Sequence, residues 1–185
     1  DQSGNGNNAV QAVATSQPKV VDGGVLVTDG LKFDGGQSLV KTTFTQGQLS
    51  QPNTAFAVSK ILDVGNTGFV FDSSDAAARN IIFADASAYR FYAGTNQTIA
   101  AQDADQHLFT ALFNTTNSDA YVDGVIGASS VDVGTYSMSG ITIGARNTLA
   151  YPLDGTISEI LIFDSDQSAF RKNIEFNINN AYSIY

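Results

Sequence analysis

The sequence predicts an all-β protein: an antiparallel β-sandwich, or jelly roll, closed by one C-terminal α-helix. Three observations lead there. Short β-prone runs recur at near-regular spacing with Asp-Gly and Gly-Gly turns between them. The composition, with 17 Gly and only Glu159 and Glu175 as glutamates, suits turns and strands better than helices. A helical spacing of apolar residues appears only in the last segment, over residues 166–182.

Residues 1–18 are polar, with Gly4 and Gly6, and read as an irregular surface segment. Strand candidates follow at 19–21, 25–28, 31–33 and 38–42. Asp22-Gly23-Gly24, Asp29-Gly30 and Asp34-Gly35-Gly36 separate them, because Gly accepts positive φ and Asp bonds its own backbone. Further candidates are 55–62 (AFAVSKIL), 68–71, 80–84, 89–93, 107–114 and 120–122. Asp123-Gly124 between Tyr121-Val122 and Val125-Ile126 is a strong two-residue hairpin signal. Residues 140–144 and 156–163 complete the strands. In the last strand both alternating faces are largely apolar, which predicts a buried central position. Phe170, Ile174, Ile178 and Ala181 share one face of the predicted helix, with Asp164 and Asp166 where the helix dipole favours negative charge. That face is expected to pack over an edge or open end of the sandwich.

A chain of 185 residues with 43% hydrophobic residues fits one domain spanning 1–185, without a linker or repeat. It begins at Asp1, without Met or a signal sequence, so the expectation is a processed product or an ordered fragment of a longer polypeptide. The net charge of −9 and pI near 4.2 repel phosphate backbones and anionic lipid, which excludes nucleic acid and bare membrane as partners. No run is long enough for membrane insertion as a helix. Neutral glycans and cations remain open. Without cysteine, disulfides and thiolate metal sites are excluded.

No catalytic set stands out. Glycoside hydrolysis needs two carboxyl groups flanking the bond, but Glu159 and Glu175 fall on different elements, strand and helix. His107 is the sole histidine, and no nucleophile-elbow sequence accompanies it. Gly4-Asn5-Gly6-Asn7-Asn8-Ala9 matches G-x-G-x-x-A formally but lacks the flanking strand and helix. The sequons at Asn96 and Asn114 would matter only in a eukaryotic secretory host. No cofactor is required by these residues. Calcium is the cation that the acidic loops Asp72-Ser73-Ser74-Asp75 and Asp103-Ala104-Asp105 leave open, without a defined ligand set. Glycan binding needs aromatic faces and planar polar groups. If Tyr89 and Phe91 face the core, Arg90 and Tyr92 face the opposite surface. Arg146, Asn147 and Tyr151 lie in the loop before the closing strand and could form a rim. These five are the candidate carbohydrate-binding residues.

Four stretches carry a family resemblance: DQSGNGNN at 1–8 followed by Gln17-Pro18, LKFDG at 31–35, the strand, loop and Tyr-Val-Asp-Gly hairpin of 107–124, and the strand and helix of 153–185. Together they resemble the concanavalin A-like lectin/glucanase superfamily, in particular laminin-G-like domains of bacterial and phage surface proteins. The opening motif is also similar to that of α-L-arabinofuranosidase domains with the same sandwich. Where those enzymes carry an acid/base Asp, this chain has Gly144-Ala145-Arg146-Asn147, with no carboxylate. The resemblance implies a non-catalytic recognition or adhesion module of a secreted, cell-surface or virion protein, such as a phage fibre or head decoration. Its implied partners are a polysaccharide or cell-surface glycan, or other subunits of a surface or virion assembly.

Overall fold

The computed structural model describes residues 1–185. Fourteen strands and one helix follow in chain order: β1 Val21–Asp22, β2 Val25–Leu26, β3 Leu31–Asp34, β4 Leu39–Lys41, β5 Asn53–Ile61, β6 Gly68–Asp72, β7 Ile81–Ala84, β8 Ala88–Tyr92, β9 Asn96–Ala101, β10 Gln106–Phe113, β11 Ser118–Val122, β12 Val125–Val131, β13 Ile141–Ile143, β14 Asp154–Phe163 and α1 Arg171–Tyr182. Two antiparallel sheets of six strands form a sandwich, with orders β12-β11-β10-β5-β14-β3 and β4-β13-β6-β7-β8-β9. β1 and β2 make a separate small hairpin. This is the predicted jelly-roll sandwich with one C-terminal helix.

The core lies between the sheets. Phe33, Phe71, Tyr89, Phe91, Phe109, Phe113 and Leu153 are its largest buried side chains, drawn from both layers. Tyr89 and Phe91 face inward, so Arg90 and Tyr92 face outward as alternation requires. The Asp123-Gly124 hairpin forms as its sequence predicts. Both turn residues have positive φ, 53° and 74°, the pair a type I′ turn needs. On the strand that leaves this turn, Gly127 lets β12 close on β9. A Cβ there would sit 1.9 Å from the Ile99 carbonyl oxygen.

Three expectations are corrected. First, α1 does not cover an edge or open end. It lies on the outer face of the first sheet, where Ile178 joins Phe56, Val58 and Leu108 in a second apolar cluster. Leu161, Phe163, Ile174, Tyr182 and Ile184 surround that cluster. β5 and β14 are apolar on both faces, so their outer face needed a cover, and the chain's own end supplies it. Second, the helix begins at Arg171, and Phe170 and Ala181 are exposed. Its buried polar residue is Glu175, which accepts the Thr110 hydroxyl at 2.8 Å and pairs with Arg171. Third, β9 was not predicted. It is a polar edge strand in which only Ile99 is buried, so it lacks the apolar alternation that marks inner strands.

Within β14 the alternation is broken by a bulge between Ile157 and Glu159, opposite Ser59 and Val58 of β5. The extra residue puts Ile157 on the same inner side as Ile160 and Ile162. Leu161 and Phe163 then point outward beneath α1.

Candidate functional site

The outer face of the second sheet has no helix over it. Phe69 of β6 stands opposite Phe83 of β7, and their rings stack at 5.0 Å and 18°. Phe83 in turn stands opposite Arg90 of β8, and Ile81 opposite Tyr92. Asp72 ends β6 on this same face and is fully buried. Such a carboxylate must be paired. Arg79 grips it with two hydrogen bonds, Nε to Oδ1 at 3.1 Å and Nη2 to Oδ2 at 2.6 Å. The Arg79 guanidinium also lies 5.5 Å from the centre of the Tyr92 ring, and Tyr92 meets Tyr136 edge-on at 6.1 Å.

The loop between β13 and β14 closes over this arrangement. The Leu153 amide donates to the Gly144 carbonyl at 2.8 Å, and within the loop the Arg146 amide donates to Ala150 at 2.9 Å. The Asn147 amide donates to Asp72 Oδ2 at 2.9 Å, which ties the loop to the sheet. Leu149 and Tyr151 hold left-handed backbone, φ 62° and 50°, which side chains of their size rarely adopt. In that conformation Tyr151 lays its ring on Phe69 at 6.1 Å and 25° while remaining 50% exposed. The Arg146 guanidinium lies 5.9 Å from the Tyr151 ring centre.

Of the five predicted residues, Arg146, Asn147 and Tyr151 lie together in the β13–β14 loop. It joins the sheet at Asp72 and Phe69. Tyr92 reaches the same network through Arg79. Arg90 is on this face but its guanidinium is engaged within its own hairpin, with Asp85, with Thr98 at 2.7 Å and with Ser87 at 3.5 Å. Phe69, Phe83, Asp72, Arg79 and Tyr136 were missed. Alternation along β6 and β7 could have flagged the two phenylalanines; nothing local to Arg79 or Tyr136 announces their partners. Two polar atoms of the rim, Arg146 Nε and Asn147 Oδ1, are buried without a hydrogen-bond partner in the protein.

The acidic loops are engaged elsewhere. Asp72 holds Arg79, and Asp75 Oδ1 accepts the Ala77 amide at 2.9 Å. Asp103 belongs to a clamp on His107: Nε2 to Asp103 at 2.8 Å and Nδ1 to Asp123 at 2.6 Å. Burial disfavours the imidazolium, but the hydrogen bonds and charges of Asp123 and Asp103 outweigh it, and the His107 pKa is pushed up to about 9. Burial raises the neighbouring Tyr89 phenol to about 12, and its hydroxyl donates to the Asp103 carbonyl at 2.8 Å. His107 thus works as a cation pinning the loop between β9 and β10 to the β11–β12 turn. The three side chains of this clamp bond to one another, and no group of three or more His, Cys, Asp or Glu is placed to hold a metal ion. Glu175 is tied to Thr110 and Arg171, and Glu159 sits on β14 just past the bulge.

A small polar cleft of about 110 Å³ lies between the N-terminal segment, the β3–β4 turn and the same loop, lined by Gln11, Gln37, Ser38, Ala145, Leu149 and Pro152 among others. No helix is long and apolar enough to cross a membrane.

No family model and no curated protein matches the sequence. The fold is similar to that of a native heptameric SAP-like pentraxin from Limulus polyphemus, with a TM-score of 0.57 at 13% identity, over 76% of this chain and 77% of that one. It is also similar to a putative carbohydrate binding protein from Bacteroides ovatus, with a TM-score of 0.59 at 11% identity, over 74% of this chain and 43% of that one. The CBM40 of the Ruminococcus gnavus IT-sialidase matches with a TM-score of 0.50 at 9% identity, over 68% of this chain and 80% of that one. This chain therefore spans less than half of the Bacteroides protein. The class defined is a jelly-roll β-sandwich.

Proposed function

We propose that the chain is a non-catalytic carbohydrate-recognition or adhesion module. One observation carries this reading: a sheet face without a helix over it, bearing a half-exposed tyrosine on stacked phenylalanines beside Arg146, whose side chain bonds to no protein group. Sugar rings have apolar faces for such an aromatic and hydroxyl groups for such a donor. Carbohydrate-binding proteins among the fold neighbours support it. The resemblance to laminin-G-like surface domains favours a secreted, cell-surface or virion protein as the host of the module, with calcium at a loop rim as an accessory to the same role. A glycan array spanning bacterial, plant and algal polysaccharides tests it: saturable binding to one glycan class, weakened by Tyr151→Ser, is expected. Silence across the array would overturn the reading.

A second reading, a structural assembly domain, draws on the β1–β2 hairpin, where Val20, Val21, Val25 and Leu26 are exposed. Concentration-dependent self-association abolished by Val25→Lys with Leu26→Lys would favour it. A residual glycosidase or lyase is the remote third. Release of reducing ends from polysaccharide, lost in Glu159→Gln, would establish it.

A further inference from the structure

The arginines of this acidic chain differ in one respect. Arg79 holds Asp72, Arg90 holds Asp85 and Arg171 holds Glu175. Arg146, the remaining arginine, holds no carboxylate, and none of its side-chain nitrogens bonds to the protein. Its Nε–H is buried without an acceptor, and leaving a charged donor so is costly. In a chain of net charge −9, carboxylates to satisfy it are abundant, yet the one bonded to this loop, Asp72 through the Asn147 amide, is already neutralised by Arg79. The local balance around Asp72, Arg79 and Arg146 is therefore one excess positive charge on an otherwise negative molecule.

Resting on the carbohydrate reading above, we propose that the ligand is an acidic saccharide whose carboxylate pairs with the Arg146 guanidinium. Three features of the rim set this chemistry. A planar guanidinium fork matches a carboxylate with two parallel hydrogen bonds, which a sugar hydroxyl cannot do. Tyr151, 5.9 Å from that guanidinium and half exposed, offers a ring face for the sugar carrying the carboxylate. The Arg146 Nη1 and Nη2 atoms bond to no protein group and, unlike Nε, are not buried, so they are the two atoms free to meet the carboxylate. The −9 charge repels a polyanion at long range, so discrimination rests on this one contact and affinity stays modest at low salt.

The test compares three oligosaccharide probes on the intact chain by calorimetry or by shift of the melting temperature. They are an oligogalacturonate, the same oligomer with its carboxyl groups reduced to hydroxymethyl, and a sulfated galactan oligomer. The carboxylated probe is expected to bind about tenfold or more tightly than its reduced form, the scale of one charge-assisted pair. Arg146→Gln should bring that ratio close to one, and Arg146→Lys should restore it only in part. Tyr151→Ser should weaken both uronate and reduced probes alike. Equal affinity of the carboxylated and reduced probes would overturn the acidic-ligand inference and leave carbohydrate recognition standing. Preference for the sulfated probe would overturn the carboxylate assignment. Binding of no saccharide here or on the array would remove both readings.

Discussion

The two outer faces of the sandwich solve the same problem in opposite ways. Each belongs to a six-stranded sheet, and each contains an arginine locked to a deeply buried carboxylate. On the first sheet the exposed side of β5, β10 and β14 carries Phe56, Val58, Leu108, Leu161 and Phe163, and α1 seals it. On the second sheet the corresponding side carries Phe69, Phe83, Arg90 and Tyr92, and no helix seals it, only the β13–β14 loop at one end. Aliphatic side chains have nothing to offer water and require a cover. Arginines and tyrosines bring polar groups that stay hydrated while their flat parts stack. The first face is a piece of core; the second is a surface that can take a ligand.

The arginine paired beneath α1's own face, Arg171, gives the largest way to break this contrast. Arg171→Ala leaves Glu175 buried between α1 and β10 with only Thr110 as partner. Loss of one member of a buried pair costs about 3–5 kcal/mol, so the urea midpoint should fall sharply and α1 should become the first segment to exchange its amide hydrogens. A midpoint within error of the parent would mean that α1 is dispensable to the sandwich. Next in size is Ile178→Ala, which removes the only fully buried aliphatic contact the helix makes. A cost of about 2–4 kcal/mol is expected for this kind of truncation, read from the same denaturation curves, with glycan binding by the opposite face unchanged.

How legible each face was follows from the same chemistry. Inner strands such as β5, β10 and β14 announce themselves by long apolar runs, and Asp123-Gly124 by its turn chemistry. The cover over β5 was not legible, because apolar residues on both faces of a strand do not say which element buries them. The helix stripe was legible at Ile174 and Ile178 but not at its ends, Phe170 and Ala181, and Glu175 is buried because Arg171 and Thr110 compensate it, a pairing that exists only in three dimensions. β9 was invisible because an edge strand need bury only Ile99. At the candidate site, Arg146, Asn147 and Tyr151 were found by their place in one loop, and Arg90 and Tyr92 by alternation. Their link through Asp72, Arg79 and Phe69 required the β6–β7–β8 register, which the sequence does not encode locally.

The His107 clamp lies between the two faces and sharpens the comparison along another axis. Its folded pKa of about 9 exceeds the ordinary 6.5, so its contribution to stability is complete below pH 6.5 and is lost as pH rises through 9. The ring is partly screened by water, so a loss of about 1–2 kcal/mol across that window is expected rather than the full value of the shift. Urea midpoints measured from pH 6 to pH 9.5 should fall for the parent chain and run flatter for His107→Gln. Parallel curves would show that the clamp carries no charge. Because the clamp joins the β9–β10 loop to the β11–β12 turn, neither α1 nor the Tyr151 rim should shift with it.

The smallest effect on stability is expected where the proposed function resides. Arg146 has no carboxylate partner and Tyr151 is 50% exposed, so Arg146→Gln and Tyr151→Ser should each move the midpoint by no more than about 0.5 kcal/mol. Relief of the left-handed strain at Tyr151 by Tyr151→Gly could even stabilise the loop slightly, because glycine adopts a φ of 50° freely. Those same substitutions should give the largest losses in saccharide binding, while Arg171→Ala, costly to the fold, should leave binding by the remaining folded fraction unchanged. A residue whose removal costs binding and not stability is held in place for the ligand. If Arg146→Gln instead destabilised the chain as much as Arg171→Ala does, its guanidinium would be holding the loop, and the open face would be a second, thinner piece of core.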